Sequence, residues 1–371
     1  MKTNMTRRSL LAIGFIVARS LFLDAQMPAQ ENIAQGMKDA YKDYFMVGVA
    51  VNQRNISVPE QQALLLQEFN SITAENDMKP GPTEPQEGVY RWEKADAIAN
   101  FCRENGLKMR GHCLMWHNQT CRWMYEDNPD KEVFLARMRS HIHAVVSRYK
   151  DVVYCWDVVN EALTDDAMAE DPYRQSPMYK IAGEDFIFKA FEYAREADPD
   201  ALLFYNDYNE CDPVKSQRMA DMVKRMKKAG VPIDGIGMQG HYNIYSPTEK
   251  ELEQAIRKFR KVVDHIHVTE LDIRVNKDMG GNLRFSREGM EISDSTEQFL
   301  ADQYARVFHV FRKYHKVIDC VTFWNLSDKD SWLGVRNYAT PFDADYQPKR
   351  AYEYIVEKKA PLWPQPEKSD K

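Results

Sequence analysis

The chain has 371 residues, room for one large domain or two ordinary ones. It is 44% hydrophobic and 29% charged, the balance of a soluble globular protein, and 12% aromatic, which suits a chain that stacks flat ligands as well as one with a large core. Fifty basic residues against 56 acidic ones leave a net charge of −6, which argues against a nucleic-acid partner.

The first element reads as a leader. Lys2, Arg7 and Arg8 make a basic start, Leu10 to Ala18 is a short apolar run, and Leu23-Asp24-Ala25 ends it, with a cut expected near Gln26. The run is too short to span a membrane as a helix, and Arg19 is an awkward charge just past it. A disordered tail or an imperfect start site is the alternative. The expectation is a signal peptide over residues 1–26 and an exported protein, periplasmic, cell-surface or secreted. No later segment is apolar and long enough to cross a bilayer, so no membrane partner is expected.

Beyond residue 26, apolar strand-like runs alternate with segments of helical period. The strand candidates are Phe45–Val51, Ser71–Glu75, Lys108–Met115, Val152–Val159, Leu202–Tyr205, Gly235–Gln239, Ile266–Leu271 and Val317–Trp324. Between them lie amphipathic stretches such as "PEQQALLLQEF", "KADAIANFCRENG" and "TEKELEQAIRKFRKVVD", and a last one follows Lys349. Asp, Ser or Thr often opens these stretches, and Gly or Asp-Pro closes them. Eight strands each followed by a helix predict an α/β protein, a single (β/α)8 barrel over residues 27–363, with 364–371 as a loose tail. A doubly wound open sheet fits less well, because no Gly-rich phosphate turn follows an early strand. A monomer is the default expectation.

Six cysteines (102, 113, 121, 155, 211, 320) show no CxxC pair or metal spacing. Cys113, Cys155 and Cys320 fall in strand-like runs and read as buried thiols. Export would permit a disulfide, with Cys113 and Cys121 the nearest pair.

Polar and aromatic residues crowd the C-terminal ends of the strands, where barrel active sites are built. In chain order these are Glu75, Asn76 and Lys79 in "ENDMKP", His112, Trp116 and His117 in "GHCLMWH", and Asn160 and Glu161 in "WDVVNEA". They continue with Asn206, Asp207, Tyr208 and Asn209 in "YNDYN", Gln239 and His241 in "MQGHY", Glu270 and Asp272 in "TELDI", and Trp324 and Trp332 around "FWNLSDKDSW". Taken singly, each glutamate is better read as a cap or ion pair, each histidine as a core residue and each tryptophan as packing. A metal site from His112, His117 and His241 is not supported by any close ligand spacing, and neither a metal nor a cofactor is expected. Convergence of seven strands on one rim is what a purely structural origin would not produce.

The set suits hydrolysis between two carboxylates, Glu161 and Glu270, delivered by strands on opposite sides of the barrel mouth. One carboxyl must keep a proton for the leaving oxygen, which partial burial and a neighbouring carboxylate favour. The other must stay ionised to attack, which needs hydrogen-bond donors such as His241 and Gln239. Trp116, Trp324 and Trp332 would form apolar walls against sugar faces. Side chains at i and i+2 of a strand share a face, so Glu270 and Asp272 are expected to emerge together at the mouth with His241 between them.

"TAENDMKP", "RGHCLMWH", "WDVVNEA", "YNDYN", "GIGMQGHY" and "TELDI", in this order and one per strand, resemble glycoside hydrolase family 10, the retaining endo-β-1,4-xylanases. The resemblance extends from about the first strand to about Pro361. It implies Glu161 as general acid/base, Glu270 as nucleophile, Asn160 on the sugar 2-hydroxyl, and His241 bonded to Glu270 and held by Asp272. It implies that Lys79, His112, Trp116, Gln239, Trp324 and Trp332 line the subsite of cleavage, that Glu75 and Asn76 read the next xylose, and that Tyr208 and Asn209 face the leaving group. Xylan and xylo-oligosaccharides are the implied partners. A barrel glycosidase for another β-1,4-glycan, or a non-catalytic xylan binder, remains the alternative. The sequence departs from the family at Asn325-Leu326, where Gly commonly follows the tryptophan. It departs also in the short "LGVRNYATP" after Trp332, expected to open the rim there, in Cys121, and in the excursion Lys277–Ser293.

Overall fold

A computed structural model describes residues 36–277 and 291–366. Residues 1–35, which include the expected leader, residues 278–290 of the excursion, and residues 367–371 of the expected tail lie outside the described residues. Among the described residues there are nine strands: β1 (Met46–Val51), β2 (Ser71–Ala74), β3 (Lys108–Trp116), β4 (Val153–Asn160), β5 (Leu202–Asp207), β6 (Gly235–Met238), β7 (His241–Asn243), β8 (His265–Arg274) and β9 (Ile318–Phe323). All pair in parallel. The order β6-β5-β4-β3-β2-β1-β9-β8 is closed by the pairing of β6 with β8, so eight strands make the expected barrel. The ninth, β7, is a three-residue addition on the mouth side. His241 pairs with Asp272 and Asn243 with Arg274, and this extends β8 three residues beyond the run expected from hydropathy.

The helices start and stop as their sequence signals require. Asp130, Asp212 and Ser293 cap helices Lys131–Tyr149, Pro213–Lys228 and Asp294–Lys313 by accepting backbone N–H bonds. Thr248 and Glu251 form a reciprocal capping box at the start of Glu249–Phe259. Among the described residues no helix is long and apolar enough to cross a membrane.

Strands covered by helices outside and by side chains inside are buried on both faces, which is why most read as continuous apolar runs. The barrel interior nevertheless holds a polar layer that hydropathy does not reveal. Arg110, fully buried on β3, is ion-paired with Asp157 on β4, and its Nη1 lies 2.7 Å from His267 Nδ1 on β8. Burial, reinforced by the Arg110 charge, holds the His267 imidazole well below its ordinary pKa, so the neutral ring accepts from the guanidinium. Trp156 fills space beside this layer against Gly111, where an added Cβ would stand 2.1 Å from the indole.

All six cysteines are free thiols, five of them buried, and the Cys113–Cys121 disulfide does not form. The tail is held further than expected. Asp302 accepts the N–H groups of Leu362 and Trp363 at 2.7 and 3.0 Å, and the Gln365 amide donates to Pro247 O at 3.1 Å. A buried carboxylate thus anchors the last residues of the expected barrel segment, and the Gln365 side chain carries the attachment into the stretch expected to be loose.

Candidate active site

The ends of the strands enclose a cleft of about 670 Å³ at the barrel mouth. Glu75, Asn76, Lys79, His112, Trp116, Asn160, Glu161, Tyr208, Asn209, Gln239, His241, Glu270, Trp324 and Trp332 all line it. Of the residues singled out from sequence, His117, Asn206 and Asp207 do not, and neither does Asp272. It is fully buried one layer below. The i, i+2 spacing on β8 does put Glu270 and Asp272 on one side, but the strand continues along β7, so the second carboxylate ends beneath His241 and Trp332 instead of at the mouth.

His241 bridges the two as expected: Nδ1 is 2.8 Å from Asp272 Oδ2 and Nε2 is 3.3 Å from Glu270 Oε2. Burial opposes a charge on this imidazole, but the two carboxylates outweigh it and raise its pKa to about 10. Glu270 responds in the opposite sense. Burial pushes its carboxyl up, yet the hydrogen bond from His241 and the nearby His112, His241 and Lys79 charges bring it down to about 2. Trp332 Nε1 also donates to Asp272 Oδ2, at 2.8 Å, and its ring packs over His241 with centroids 4.9 Å apart. This tie keeps Trp332 on the site, so the short stretch after it does not open the rim at that point.

The other oxygen of Glu270 is served by a residue given no role from sequence. Asn206 Nδ2 donates to Glu270 Oε1 at 2.8 Å and to Asn160 Oδ1 at 2.9 Å, while its own Oδ1 accepts from Thr269 Oγ1 at 2.6 Å. Its amide orientation is therefore fixed by its partners. The register of β8 against β9 shifts between Val268 and Leu271, and Thr269 and Glu270 both reach Asn206 instead of pointing to opposite faces. Gly237 makes room: a Cβ there would lie 2.2 Å from Asn206 Oδ1. Asn206 shares its strand face with Tyr208, and period-2 reading of "YNDYN" would have found it.

Glu161 is reached by three donors: Trp116 Nε1 at 2.8 Å to Oε2, and Gln239 Nε2 and Asn160 Nδ2 at 3.0 and 3.3 Å to Oε1. The amides of Asn160, Asn206 and Gln239 thus form a continuous bridge from one carboxylate to the other. On the far side, Lys79 Nζ donates to Asn76 Oδ1 at 3.0 Å and sits 4.9 Å from the Trp116 ring centroid. Burial raises the Glu75 carboxyl above its ordinary range, against the opposing pull of Asn325 and Lys79. His112 Nδ1 lies 2.9 Å from Asp157 Oδ2, which ties the cleft floor to the polar layer in the barrel. The cleft is also lined by Asn118 and Gln119, polar loop residues, and by Arg274 at the end of β8, none of which carried a signal in the sequence.

Asn325, in place of the glycine common after the strand-end tryptophan, has φ +90°, a left-handed conformation glycine enters freely and asparagine tolerates. Its side chain compensates. Oδ1 accepts the Trp332 N–H at 3.0 Å and so secures the loop that carries Trp332.

A cleft with two bridged carboxylates, one held ionised, and indole walls is equipped to break a glycosidic bond. Comparison with known proteins agrees. The profile of glycosyl hydrolase family 10 matches residues 36–358. The chain is 55% identical to an endo-1,4-beta-xylanase/feruloyl esterase of Xylanibacter ruminicola, over 94% of this chain and 50% of that protein. It is 44% identical to a beta-1,4-xylanase of Dictyoglomus thermophilum, over 86% of this chain and 90% of that one. The chain therefore spans half the length of the first relative and nine-tenths of the second. A solved psychrophilic glycoside hydrolase family 10 endo-beta-1,4-xylanase superposes with a TM-score of 0.83 at 63% identity, over 87% of this chain and 99% of that one.

Proposed function

Since the chain belongs to glycosyl hydrolase family 10, we propose that it is an endo-1,4-β-xylanase, cutting internal bonds of xylan with retention of anomeric configuration. The observation that supports this reading above all is the paired environment of Glu161 and Glu270, one amide-bridged network with opposite demands at its ends. Glu270, kept ionised by His241 and aimed by Asn206, attacks the anomeric carbon. Glu161 gives its proton to the leaving oxygen, then takes one from the water that hydrolyses the glycosyl-enzyme intermediate. Trp116, Trp324 and Trp332 wall the sugar being cleaved, Lys79, His112 and Gln239 read its hydroxyls, and Asn160 meets its 2-hydroxyl. Glu75 and Asn76 hold the next xylose, and Tyr208 and Asn209 face the leaving group. A polymeric substrate cannot cross a membrane, so the leader-like N-terminus fits an exported enzyme. Proton NMR of the first products from xylan tests the reaction: the β-anomer is expected first, and initial release of the α-anomer would sink the retaining mechanism. Parallel assays on carboxymethyl cellulose and mannan should give far lower rates, and a preference for either would overturn the substrate.

Two further outcomes follow from the geometry. Asn206→Ala removes the donor on Glu270 Oε1 and should lower kcat about 100-fold, as loss of a preorganised donor does, with KM little changed in steady-state assays. His241→Gln removes the imidazolium that helps bring the Glu270 carboxyl down to about 2, so the acid limb of kcat/KM should move to higher pH than in the parent. The stability signs are opposite for the pair. The depressed Glu270 contributes above its ordinary carboxylate range and loses its contribution as pH falls toward 2. The raised His241 contributes fully below its ordinary 6.5 and loses its contribution as pH climbs through about 10. Chemical denaturation at pH 7 and pH 10.5 should show the parent losing more stability with rising pH than His241→Gln.

A further inference from the structure

Glu161 stands just past β4 with φ +57°, a left-handed conformation that a residue with a side chain holds only when its surroundings impose it. The surroundings here are side chains that do not touch the Glu161 carboxylate. The Glu161 N–H donates to Asn206 O at 2.9 Å, and the Glu161 carbonyl accepts from Arg174 Nε at 3.1 Å. The next two N–H groups, of Ala162 and Leu163, converge on one acceptor, the buried Tyr205 hydroxyl, at 3.0 and 3.2 Å. That hydroxyl directs its own proton to Asp207. Asp207 is fully buried and ion-paired with Lys215 at 3.1 Å, and the same ammonium donates to Leu163 O at 3.1 Å and to Asp165 at 2.8 Å. Arg174 Nη2 completes the enclosure on Asp165 at 3.0 Å and on the Tyr208 hydroxyl at 2.8 Å.

We propose that Tyr205, aligned by Asp207 and Lys215, is a positioning residue that fixes the aim of Glu161 by clamping its left-handed turn, and that Arg174 couples this turn to Tyr208 on the leaving-group side. The proposal rests on the reading of Glu161 as acid/base. Tyr205 satisfies two consecutive donors with one oxygen, so the turn cannot relax toward ordinary backbone angles without stranding buried N–H groups. Removing the hydroxyl frees the turn and swings the carboxyl. A displacement near 1 Å costs up to about 10²-fold where geometry is critical. The loss falls on the proton transfer and not on attack by Glu270.

Leaving-group dependence separates such a role from a merely structural one. For Tyr205→Phe, kcat/KM is measured on xylotetraose, whose leaving oxygen needs a proton, and on 2,4-dinitrophenyl β-xylobioside, whose leaving group does not. The expected result is a fall of about 30–100-fold on the first and less than about 3-fold on the second. Equal losses on both, or no loss on either, overturn the proposal. The activated substrate also reports the folded fraction, and if too little Tyr205→Phe folds, Arg174→Lys is put through the same pair, with a ratio change of at least about 5-fold expected and none overturning the coupling. Glu161→Ala is the reference. If it lacks the leaving-group dependence, the acid/base reading falls and this proposal with it. If it shows the dependence and Tyr205→Phe does not, only the positioning role falls.

Discussion

Glu270→Gln is expected to abolish xylan hydrolysis, lowering kcat by about 10⁵-fold or more, on the scale seen when a nucleophile is removed. The substitution keeps the side chain's size and an oxygen for the Asn206 amide at the position it now occupies, 2.8 Å from Glu270 Oε1. It removes the anion that attacks. The site spends no part of its geometry on a second nucleophile. The other carboxylate in contact with the network, Glu161, is held by Trp116, Gln239 and Asn160 in a different orientation, and Asp272 is sealed beneath His241. Reducing-sugar release from xylan measures the loss. Mass spectrometry after incubation with a 2-fluoro-xylobioside should find the parent labelled on the peptide containing Glu270 and Glu270→Gln unlabelled. Activity above about 1% of the parent, or a label on another peptide, would remove Glu270 from this role.

The clarity of these expectations reflects what a barrel writes into its sequence. The fold gathers polar groups toward the C-terminal ends of its strands, so Glu161 after "WDVVN" and Glu270 inside "TELDI" could be assigned to the barrel mouth from order alone, and His241 could be set between Glu270 and Asp272 because β6 and β8 are neighbours. Three things depended on information that hydropathy does not carry. The burial of Asp272 depends on the three-residue β7, too short to announce itself. The role of Asn206 depends on a register shift in β8, which brings Thr269 and Glu270 to the same amide. The Arg110–Asp157–His267 layer sits at the centre of strands read as apolar, because a buried ion pair formed between two strands leaves no trace in a one-dimensional pattern. Asn325 is the converse case. It stands as a departure from the family's glycine, and its φ of +90° and its bond to the Trp332 N–H show a substitution that keeps the backbone and adds a tether.

Glu161→Ala separates the two halves of the reaction, and its expected effect depends on the substrate. On xylan the leaving oxygen departs from a sugar and needs a proton in the transition state, so kcat/KM should fall about 10³-fold, within the range that general acid catalysis supplies. On 2,4-dinitrophenyl β-xylobioside the first step needs no proton, and Glu270 still has its Asn206 and His241 partners, so kcat/KM should fall less than about 10-fold. The second step does need a base to deprotonate water. The glycosyl-enzyme therefore accumulates, giving a burst of dinitrophenol followed by slow turnover and a lowered KM. Azide, a small anion that needs no base, should enter the space vacated by the carboxylate and restore turnover, releasing β-xylobiosyl azide. The Trp116 indole N–H and the Gln239 amide, 2.8 and 3.0 Å from Glu161 in the parent, both face the vacated space as donors suited to an anion. Failure of azide to restore turnover would assign the base to another residue, and absence of a burst on the activated substrate would place the first step, not the second, under the control of Glu161.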